Sequence, residues 1–423
     1  MGKMTGNEFF VKALQEEGVD KLFGYPGACV VDIFDEIYKQ RDVELILPRH
    51  EQGLIHAAEG YARSTGKTGV CLVTSGPGAT NLVTGIADAN LDSIPLVCFT
   101  GQVSTGLIGN DTFQEVDIVG ITRNITKYSM MVRTREELNK ALKEAFYIAS
   151  SGRPGPVLVD LPKDAMAQSG SDEYPKTSNM PGYRPNTKVH EGQIKRAVQM
   201  IGRAKRPLFL LGGGVKIARA AEEMRKLAEV TGIPAVTTIM GKGSIPTNHR
   251  LYYGNVGMHG CYAANNAVNN CDLLISIGTR FNDRITGKLG TFATKARIIH
   301  IDIDAASISK NVNVDVPIVG DAGEAIRKLL LEASEEGAHM NMSLDWLQKL
   351  DQWRNDVPLK MEAKKKLCPK DVIDAINDIY DQPIVTTDVG QNQMWTAQFF
   401  EIYGQRQLIT SGGLGTMGYG LPA

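Results

Sequence analysis

Glu51 and the turn Ser75-Gly76-Pro77-Gly78 are the residues whose types and placement point most directly to chemistry. An apolar run from Val43 to Leu47 reads as a buried strand. The polar stretch Arg49-His50-Glu51-Gln52 then opens a helix reaching about Thr65, and a second apolar run, Val70 to Thr74, leads through the glycine turn into another helix. In a parallel strand-helix-strand unit the carboxylate and the turn both lie beyond the carboxyl ends of strands, where α/β sheets bind ligands. A carboxyl there can hold or pass a proton, and a loop of nearly bare backbone lets a ligand approach closely. The helix dipole alone also favours a glutamate at a helix start, so position by itself does not make Glu51 functional.

A second set of residues suits phosphate and ribose. The run Leu210 to Gly214 ends a buried strand in three glycines and precedes a helix, as a phosphate-binding βα turn does, although it lacks the full GxGxxG spacing. Downstream, Gly257-Met258-His259-Gly260, the stretch Gly278 to Gly287 with Arg280 and Arg284, and the strand-like Ile299 to Asp304 add glycines, two guanidinium groups and acids. That set can hold a pyrophosphate and a ribose.

The elements that must carry these groups alternate along the chain. Helices are expected at 5–17, 30–40 and 134–150, with strands at Lys21 to Phe23, Pro95 to Thr100 and Pro156 to Leu161, giving a doubly wound α/β domain over 1–165. A Ser-, Asn- and Pro-rich stretch, Gln168 to Lys188, reads as a linker. A second set of βα repeats spans 190–335, a polar, Lys-rich link runs from Glu332 to Leu367, and a third unit covers 366–423. Two strands and two helices cannot close a core, so the third domain is expected to be incomplete, the sequence stopping inside it.

Composition narrows the partners. The 423 residues carry a formal net charge of -1, which offers no electrostatic case for nucleic acid or an anionic membrane. No apolar run approaches membrane-spanning length, and the N-terminus lacks a signal-peptide core. The six cysteines form no CxxC pair and read as reduced, mostly structural thiols, as in the cytoplasm.

RHEQG followed by TSGPGATN, with GYPG at Gly24 to Gly27, resembles the pyrimidine-binding domain of thiamine-diphosphate enzymes. LVTSGPGATNLVTGIADA, GNDTFQE, GRPGPVLVDLPKD, GMHG, RFNDRITG, DVGQNQMW and SGGLGTMGYGLPA, in that order, extend the likeness. Within those enzymes the chain resembles the catalytic subunits of the acetolactate synthase (acetohydroxyacid synthase) family from Gly6 to Ala423. The resemblance implies three doubly wound parallel-sheet domains of the thiamine-diphosphate enzyme type. It implies decarboxylation of pyruvate and ligation of the remaining two-carbon unit to a second pyruvate or to 2-oxobutyrate, in valine, leucine and isoleucine biosynthesis. The cofactors implied are thiamine diphosphate, Mg²⁺ and FAD, and the assembly a homodimer or tetramer, open to a regulatory small subunit.

Residue by residue, the resemblance makes Glu51 the partner of the pyrimidine ring. That role needs a carboxyl kept protonated by a water-poor setting. Gly76, Pro77 and Gly78 would lie near the pyrimidine edge with Gly415 and Met417, and Val389, Gly390, Gln391 and Asn392 would begin the diphosphate site. Phe113 and Gln114 would border the reacting centre, although core packing is the commoner fate of a phenylalanine. Lys163 would stand at the substrate channel, and Met258 and Arg284 would receive the second 2-oxo acid. The flavin would take Arg153, Gly212, Gly213, Thr238, Met240, His259, Gly278, Arg280, Asp302 and Asp321. The sequence departs from the family at Ala28 and Cys29, Ser104, Asn282 and Asn392, each beside one of these contacts.

Three rivals remain at this level: another thiamine-diphosphate decarboxylase or carboligase, a flavoprotein dehydrogenase built on the middle domain, and a flavin-binding chain without activity. The family's Mg²⁺ ligands, an Asp in a GDG turn and a later Asn, fall beyond Ala423. The chain as written is therefore expected to lack metal ligands, to hold thiamine diphosphate weakly and to be inactive alone.

Overall fold

The computed structural model describes residues 2–335, 342–361 and 367–423. The chain forms two compact units, Met1–Pro185 with Ser411–Ala423, and Asn186–Thr410.

The first unit is built on a parallel sheet of six strands. In spatial order these are Glu44–Ile46, Lys21–Tyr25, Gly69–Val73, Leu96–Gln102, Pro156–Pro162 and Tyr128–Met131. The central strands are near-continuous apolar runs because both faces are covered by helices. Alternation sends Val70, Leu72, Val97 and Phe99 into a core with Phe9, Phe10 and Leu142, and Cys71, Val73, Leu96 and Cys98 into another with Leu54, Ile55 and Ile86. The flanking helices are Gly6–Glu16, Val31–Gln40, Glu51–Thr65, Val83–Asp92 and Arg135–Ser150. Thr5 and Glu8 close a capping box on the first.

Two expectations fail here. The run Val43 to Leu47 is an edge strand, not a buried one: Leu45 and Leu47 are exposed, because only one neighbour covers it. The expected linker contains a strand, Ser169–Ser171, paired antiparallel with Lys3–Thr5, a pairing too short and polar to leave an apolar period.

The second unit repeats the plan. Its six parallel strands are, in order, Tyr252–Asn255, Ala235–Thr237, Pro207–Leu211, Leu273–Ile277, Arg297–Asp302 and Val316–Val319. The parallel pair Val385–Thr387 and Leu408–Thr410 belongs to the same unit, with a small core of Ile373, Phe400, Ile402 and Leu408. The expected polar link contains a helix, Leu344–Asp356. Trp346 and Leu350 are buried on it, and Trp346 Nε1 donates to the Pro207 carbonyl at 3.0 Å. Lys349, Arg354 and three aspartates elsewhere on that helix hide its apolar stripe in composition. The first residues of the expected link, 332–335, continue the helix Ala322–Glu335 and not a link, and 336–341 and 362–366 lie outside the described residues. Among the described residues no helix is long and apolar enough to cross a membrane.

Candidate active site

In the first unit the site begins where two strands end. Glu51 is the first residue of the Glu51–Thr65 helix, whose N-cap His50 accepts the Gln52 amide at 3.1 Å. The strand Gly69–Val73 runs into Gly76, whose φ of +58° with ψ of -118° favours glycine. A methyl group at Gly76 would meet the Gln114 carbonyl oxygen at 2.8 Å, and one at Gly78 would stand 3.5 Å from Glu51 Oε1. Glu51, Gly76, Gly78 and Gln114 are thus neighbours, with Pro77 exposed on the first turn between them. Asn81 Nδ2 donates to Glu51 Oε2 at 2.9 Å. Sequence reasoning did not single out Asn81, although its position in SGPGATN puts it on the same short helical turn.

The setting of Glu51 differs from the expectation. The side chain is half-buried beside an amide donor, so this unit does not itself supply the apolar enclosure expected around it. Phe113 also departs from its commoner fate: it is 84% exposed, at the tip of the loop that Glu115 ties by accepting the Gly109 and Thr112 amides. Lys163 Nζ donates to the Ala28 carbonyl at 3.2 Å and lies 3.8 Å from Asp32. The Cys29 amide reaches Thr74 Oγ1 at 3.4 Å, so Lys163 and the glycine turn border the same end of the sheet. Thr105, next to Ser104, binds Asp164 through its amide and hydroxyl on the same rim.

The segment Ser411–Ala423 belongs to this unit. The Gly415 and Thr416 amides donate to Ser411 Oγ at 3.1 and 2.9 Å, fixing a turn on which Met417 is 80% exposed. The backbone at Ala423 comes so close to Gly60 that a methyl group there would meet its carbonyl carbon at 2.8 Å. Arg153, expected near the flavin, donates from Nε to Ser93 Oγ at 2.8 Å and from a terminal nitrogen to the Asn90 carbonyl at 3.3 Å.

In the second unit three strand ends converge on backbone. The Gly212 amide donates to the Ile277 carbonyl at 2.9 Å, and the Gly214 amide to the Gly278 carbonyl at 3.1 Å. A methyl group at Gly212 would come closer than 3.0 Å to the Gly278 carbonyl, and one at Gly213 would meet Met240 Cβ at 3.3 Å. Thr238 Oγ1 accepts the Gly241 amide at 3.0 Å beside them. Asp302 ends the next strand, buried, accepting the Asp304 amide at 2.9 Å, and Asp321 caps the helix Ala322–Glu335 by accepting the Glu324 amide at 2.9 Å. The Arg280 carbonyl accepts from Asn311 at 3.2 Å. Asn282 Oδ1 is buried with no hydrogen-bond partner among the described residues.

Met258 and Arg284, far apart in sequence, are in contact. The Met258 amide donates to the Arg284 carbonyl at 2.9 Å, and the guanidinium lies 3.5 Å from Met258 Sδ. Both side chains are exposed. His259 borders a cavity of about 240 Å³ with Lys242, Asn255 and Glu401, and its carbonyl accepts from Gln398 at 3.1 Å. Burial pushes the Lys242 amine down to about 7. Val389 and Gly390 lead into the helix Gln391–Phe399, with Gly390 at its N-cap and Gln391 and Asn392 exposed on its first turn. Val389 to Asn392 therefore belong to the second unit, and Gly415 and Met417 to the first.

Comparison with known proteins matches three regions of the chain, the last of them running across the division between the two units. The thiamine pyrophosphate enzyme N-terminal TPP binding domain matches residues 4–121, the central domain 194–329 and the C-terminal TPP binding domain 388–423. The acetolactate synthase of Mycobacterium bovis is 47% identical over 425 residues, covering 100% of this chain and 69% of that protein. The chain belongs to the acetolactate synthase large-subunit family. A probable acetolactate synthase large subunit of Methanocaldococcus jannaschii is 48% identical over 99% of this chain and 72% of its own length. The acetolactate synthase isozyme 3 large subunit of Escherichia coli K12 is 45% identical over 100% of this chain and 75% of its own. Family membership removes the free-standing flavoprotein dehydrogenase as a rival, since it engages all three matched regions and not the middle one alone.

Proposed function

We propose that this chain is an acetolactate synthase catalytic subunit. It decarboxylates pyruvate and joins the remaining two-carbon unit to a second pyruvate or to 2-oxobutyrate, in valine, leucine and isoleucine biosynthesis. The carrying observation is the juxtaposition of Glu51 with Gly78 and Asn81, and of Gly76 with Gln114, at one end of the first sheet. That is a carboxyl beside a glycine turn, where no side chain of the turn itself stands between Glu51 and a flat heteroaromatic ring.

Thiamine diphosphate, when bound, supplies an electron sink for loss of carbon dioxide from a 2-oxo acid. The chain's residues do the rest. Glu51 holds a proton opposite the pyrimidine, its carboxyl oriented by Asn81, and the rim left open in this unit is closed when a second subunit covers it in a homodimer or tetramer. Gly76, Pro77, Gly78, Gly415 and Met417 bound the ring. Val389 to Asn392 offer amides at the N-terminus of a nine-residue helix, which suits a diphosphate, with Mg²⁺ as its counter-ion. Phe113, Gln114 and Lys163 border the reacting carbon and exclude water. Arg284, lying against Met258, takes the carboxylate of the second substrate through its planar fork.

FAD fits the second unit. The close-packed glycines 212, 213 and 278 leave backbone for a pyrophosphate, Asp302 stands at a strand end suited to a ribose, and the orphaned Asn282 Oδ1 can accept from a bound group. Met240 lies against Gly213 and Thr238 binds the Gly241 amide beside them, and the family resemblance assigns His259, Arg280, Asp321 and Arg153 to the same group. The ligation is redox-neutral, so the flavin is structural here. The large-subunit naming of the relatives supports a regulatory small subunit, and six free thiols suit the cytoplasm.

Glu51→Gln tests the reading. Hydrogen–deuterium exchange at the reactive carbon of the bound cofactor should slow by about 10²–10⁴-fold, the usual contribution of a positioned proton-transfer group. Melting temperature and flavin content should hold. Unchanged exchange would remove Glu51 from the chemistry.

A further inference from the structure

Beneath the Ser411–Tyr419 turn the first unit buries a cluster of charged side chains more deeply than Glu51. His56, Glu59 and Arg63 project from the helix Glu51–Thr65, and Asp88 and Asp92 from Val83–Asp92. Glu59 and Asp88 are fully buried. His56 Nδ1 meets Glu59 Oε1 at 3.0 Å, and Arg63 pairs with Asp92 at 2.5 Å. The turn rests on both acids of the second helix. Ser411 Oγ donates to Asp88 Oδ1, Thr416 Oγ1 donates to the same oxygen at 3.1 Å, and the Gly412 amide donates to Asp92 Oδ2 at 2.8 Å. Ser411 Oγ in turn accepts the Gly415 and Thr416 amides. Tyr419, fully buried, packs its ring edge-on to His56 at 5.2 Å.

Two oxygens stand out. Glu59 Oε2 and Asp88 Oδ2 are both buried, and neither has a hydrogen-bond partner among the described residues. Polar atoms of His56, Glu59 and Asp88 lie within 4.8 Å of one another. Two ionised carboxylates in that space would repel each other without a donor between them, at a cost of several kcal/mol. A single proton removes both faults, because it makes Glu59 a donor to the free oxygen of Asp88.

We propose that Glu59 and Asp88 share one proton, held on Glu59, and that the pair is the positioning element for the Ser411–Tyr419 turn carrying Gly415 and Met417. With Glu59 neutral, Asp88 accepts from three hydroxyl groups, those of Glu59, Ser411 and Thr416. Arg63 and Asp92 neutralise each other. His56 donates its Nδ1 proton to Glu59 Oε1. A divalent cation is the competing occupant, but Asp88 Oδ1 is already committed to two hydroxyl groups and Glu59 Oε1 to His56.

Burial is the main reason the Glu59 carboxyl titrates well above the ordinary glutamate range, and the charge of Asp88 adds to it. The groups facing it are His56 and Arg63 on its own helix, Asp88 and Asp92 on the second, Tyr419 on the turn, and on the strand Gly69–Val73 the Cys71 thiol, which burial keeps neutral. A carboxyl whose folded pKa is raised favours the closed turn below its ordinary pKa. That advantage is lost progressively as pH rises toward the raised value.

The role in catalysis rests on the reading of Gly415 and Met417 as cofactor contacts, and the experiment separates the two. In the assembled enzyme, infrared difference spectra should contain a protonated-carboxyl stretch at neutral pH that disappears in Glu59→Gln. Amide-exchange protection of Gly415 and Thr416 should fall by about tenfold per pH unit above the ordinary glutamate range in the wild type. In Glu59→Gln, whose amide donates to Asp88 and accepts from His56, it should stay flat. Glu59→Ala should lose the protection at all pH values and raise the apparent KM for thiamine diphosphate. A missing carboxyl stretch, the same pH slope in wild type and Glu59→Gln, or stoichiometric metal lost on Glu59→Gln overturns the shared proton. If stretch and slope behave as stated while the KM of Glu59→Ala is unmoved, the shared proton stands and the cofactor role of Gly415 and Met417 fails.

Discussion

Replacing Arg284 by alanine tests the proposal that its guanidinium anchors the second 2-oxo acid. The Arg284 side chain is 65% exposed, and its ionic neighbour is Asp283 at 3.7 Å, a surface pair of the kind worth about 0–1 kcal/mol. Its backbone carbonyl, which the mutation keeps, is what holds the Met258 amide. Stability should therefore change by no more than about 0.5 kcal/mol. A charge-assisted bond from a guanidinium to a carboxylate contributes about 1.5–3 kcal/mol, which corresponds to about 10–150-fold in a rate ratio. If that carboxylate belongs to the second 2-oxo acid, the loss falls on ligation and spares decarboxylation. With pyruvate as sole substrate, acetaldehyde should rise relative to acetolactate by a factor in that range. Arg284→Lys should fall between, since it keeps the charge and loses the fork. Product ratios by chromatography, with melting curves on the same preparations, are the assay. A fixed ratio with both products reduced together would refute the assignment, and so would a large drop in melting temperature.

Two further outcomes follow from the packing. Gly212→Ala should destabilise the second unit by about 1–3 kcal/mol or more and lower its flavin content, because the new methyl meets the Gly278 carbonyl and Thr279 Cγ2, the latter at 2.6 Å. An unchanged melting temperature would show that this turn has room. Asp160, which accepts from Thr100 at 2.7 Å and Gln102 at 3.0 Å, is pushed up to about 7 by burial. Its folded pKa is raised, so its contribution is fully present below the ordinary carboxylate range and is lost as pH rises to about 7. Asp160→Asn carries a constant cost from setting an amide against Gln102 Nε2, yet it should gain stability relative to wild type as pH rises from the ordinary carboxylate range, about 4, to about 7. A pH-independent difference between the two melting curves would contradict this.

The architecture was legible because parallel sheets write themselves as apolar runs. Val70 to Thr74, Pro156 to Leu161 and the strand within CDLLISIGTR are covered on both faces, and each reads as a strand within a residue or two of its observed limits. Edges were the failure. Tyr128–Met131 closes the first sheet with part-exposed residues and no apolar run, and it was missed altogether. Val43 to Leu47 was found but assigned to the interior, since an apolar run does not say how many neighbours it has. The helix carrying Trp346 does not stand out because only four of its thirteen residues, Trp346, Leu347, Leu350 and Trp353, are buried or half-buried apolar positions, which leaves the average polar.

The site was legible for a different reason and incomplete for a related one. The carboxylate role of Arg284 comes only from the resemblance, whereas glycine turns announce themselves because close backbone approach demands glycine and these turns recur at strand ends. Glu51 stood out by the same logic, while Glu59, eight residues on, did not. Yet Glu59 occupies the apolar face of its helix, in phase with Leu54, Ile55, Ala58 and Ala62, all of which are buried. A carboxylate in phase with an apolar stripe is a burial signal as strong as a leucine there, and a costlier one. His56 and Arg63 fall on that stripe at three residues before and four after, so one helix turn on either side carries its charge partners. Reading polar residues against the apolar period, and not only against motif spacing, would have placed the cluster. It would also have separated two roles proposed for a single helix: a half-exposed glutamate at its N-terminus proposed to face the cofactor, and a dry one two turns later beneath the Ser411–Tyr419 turn.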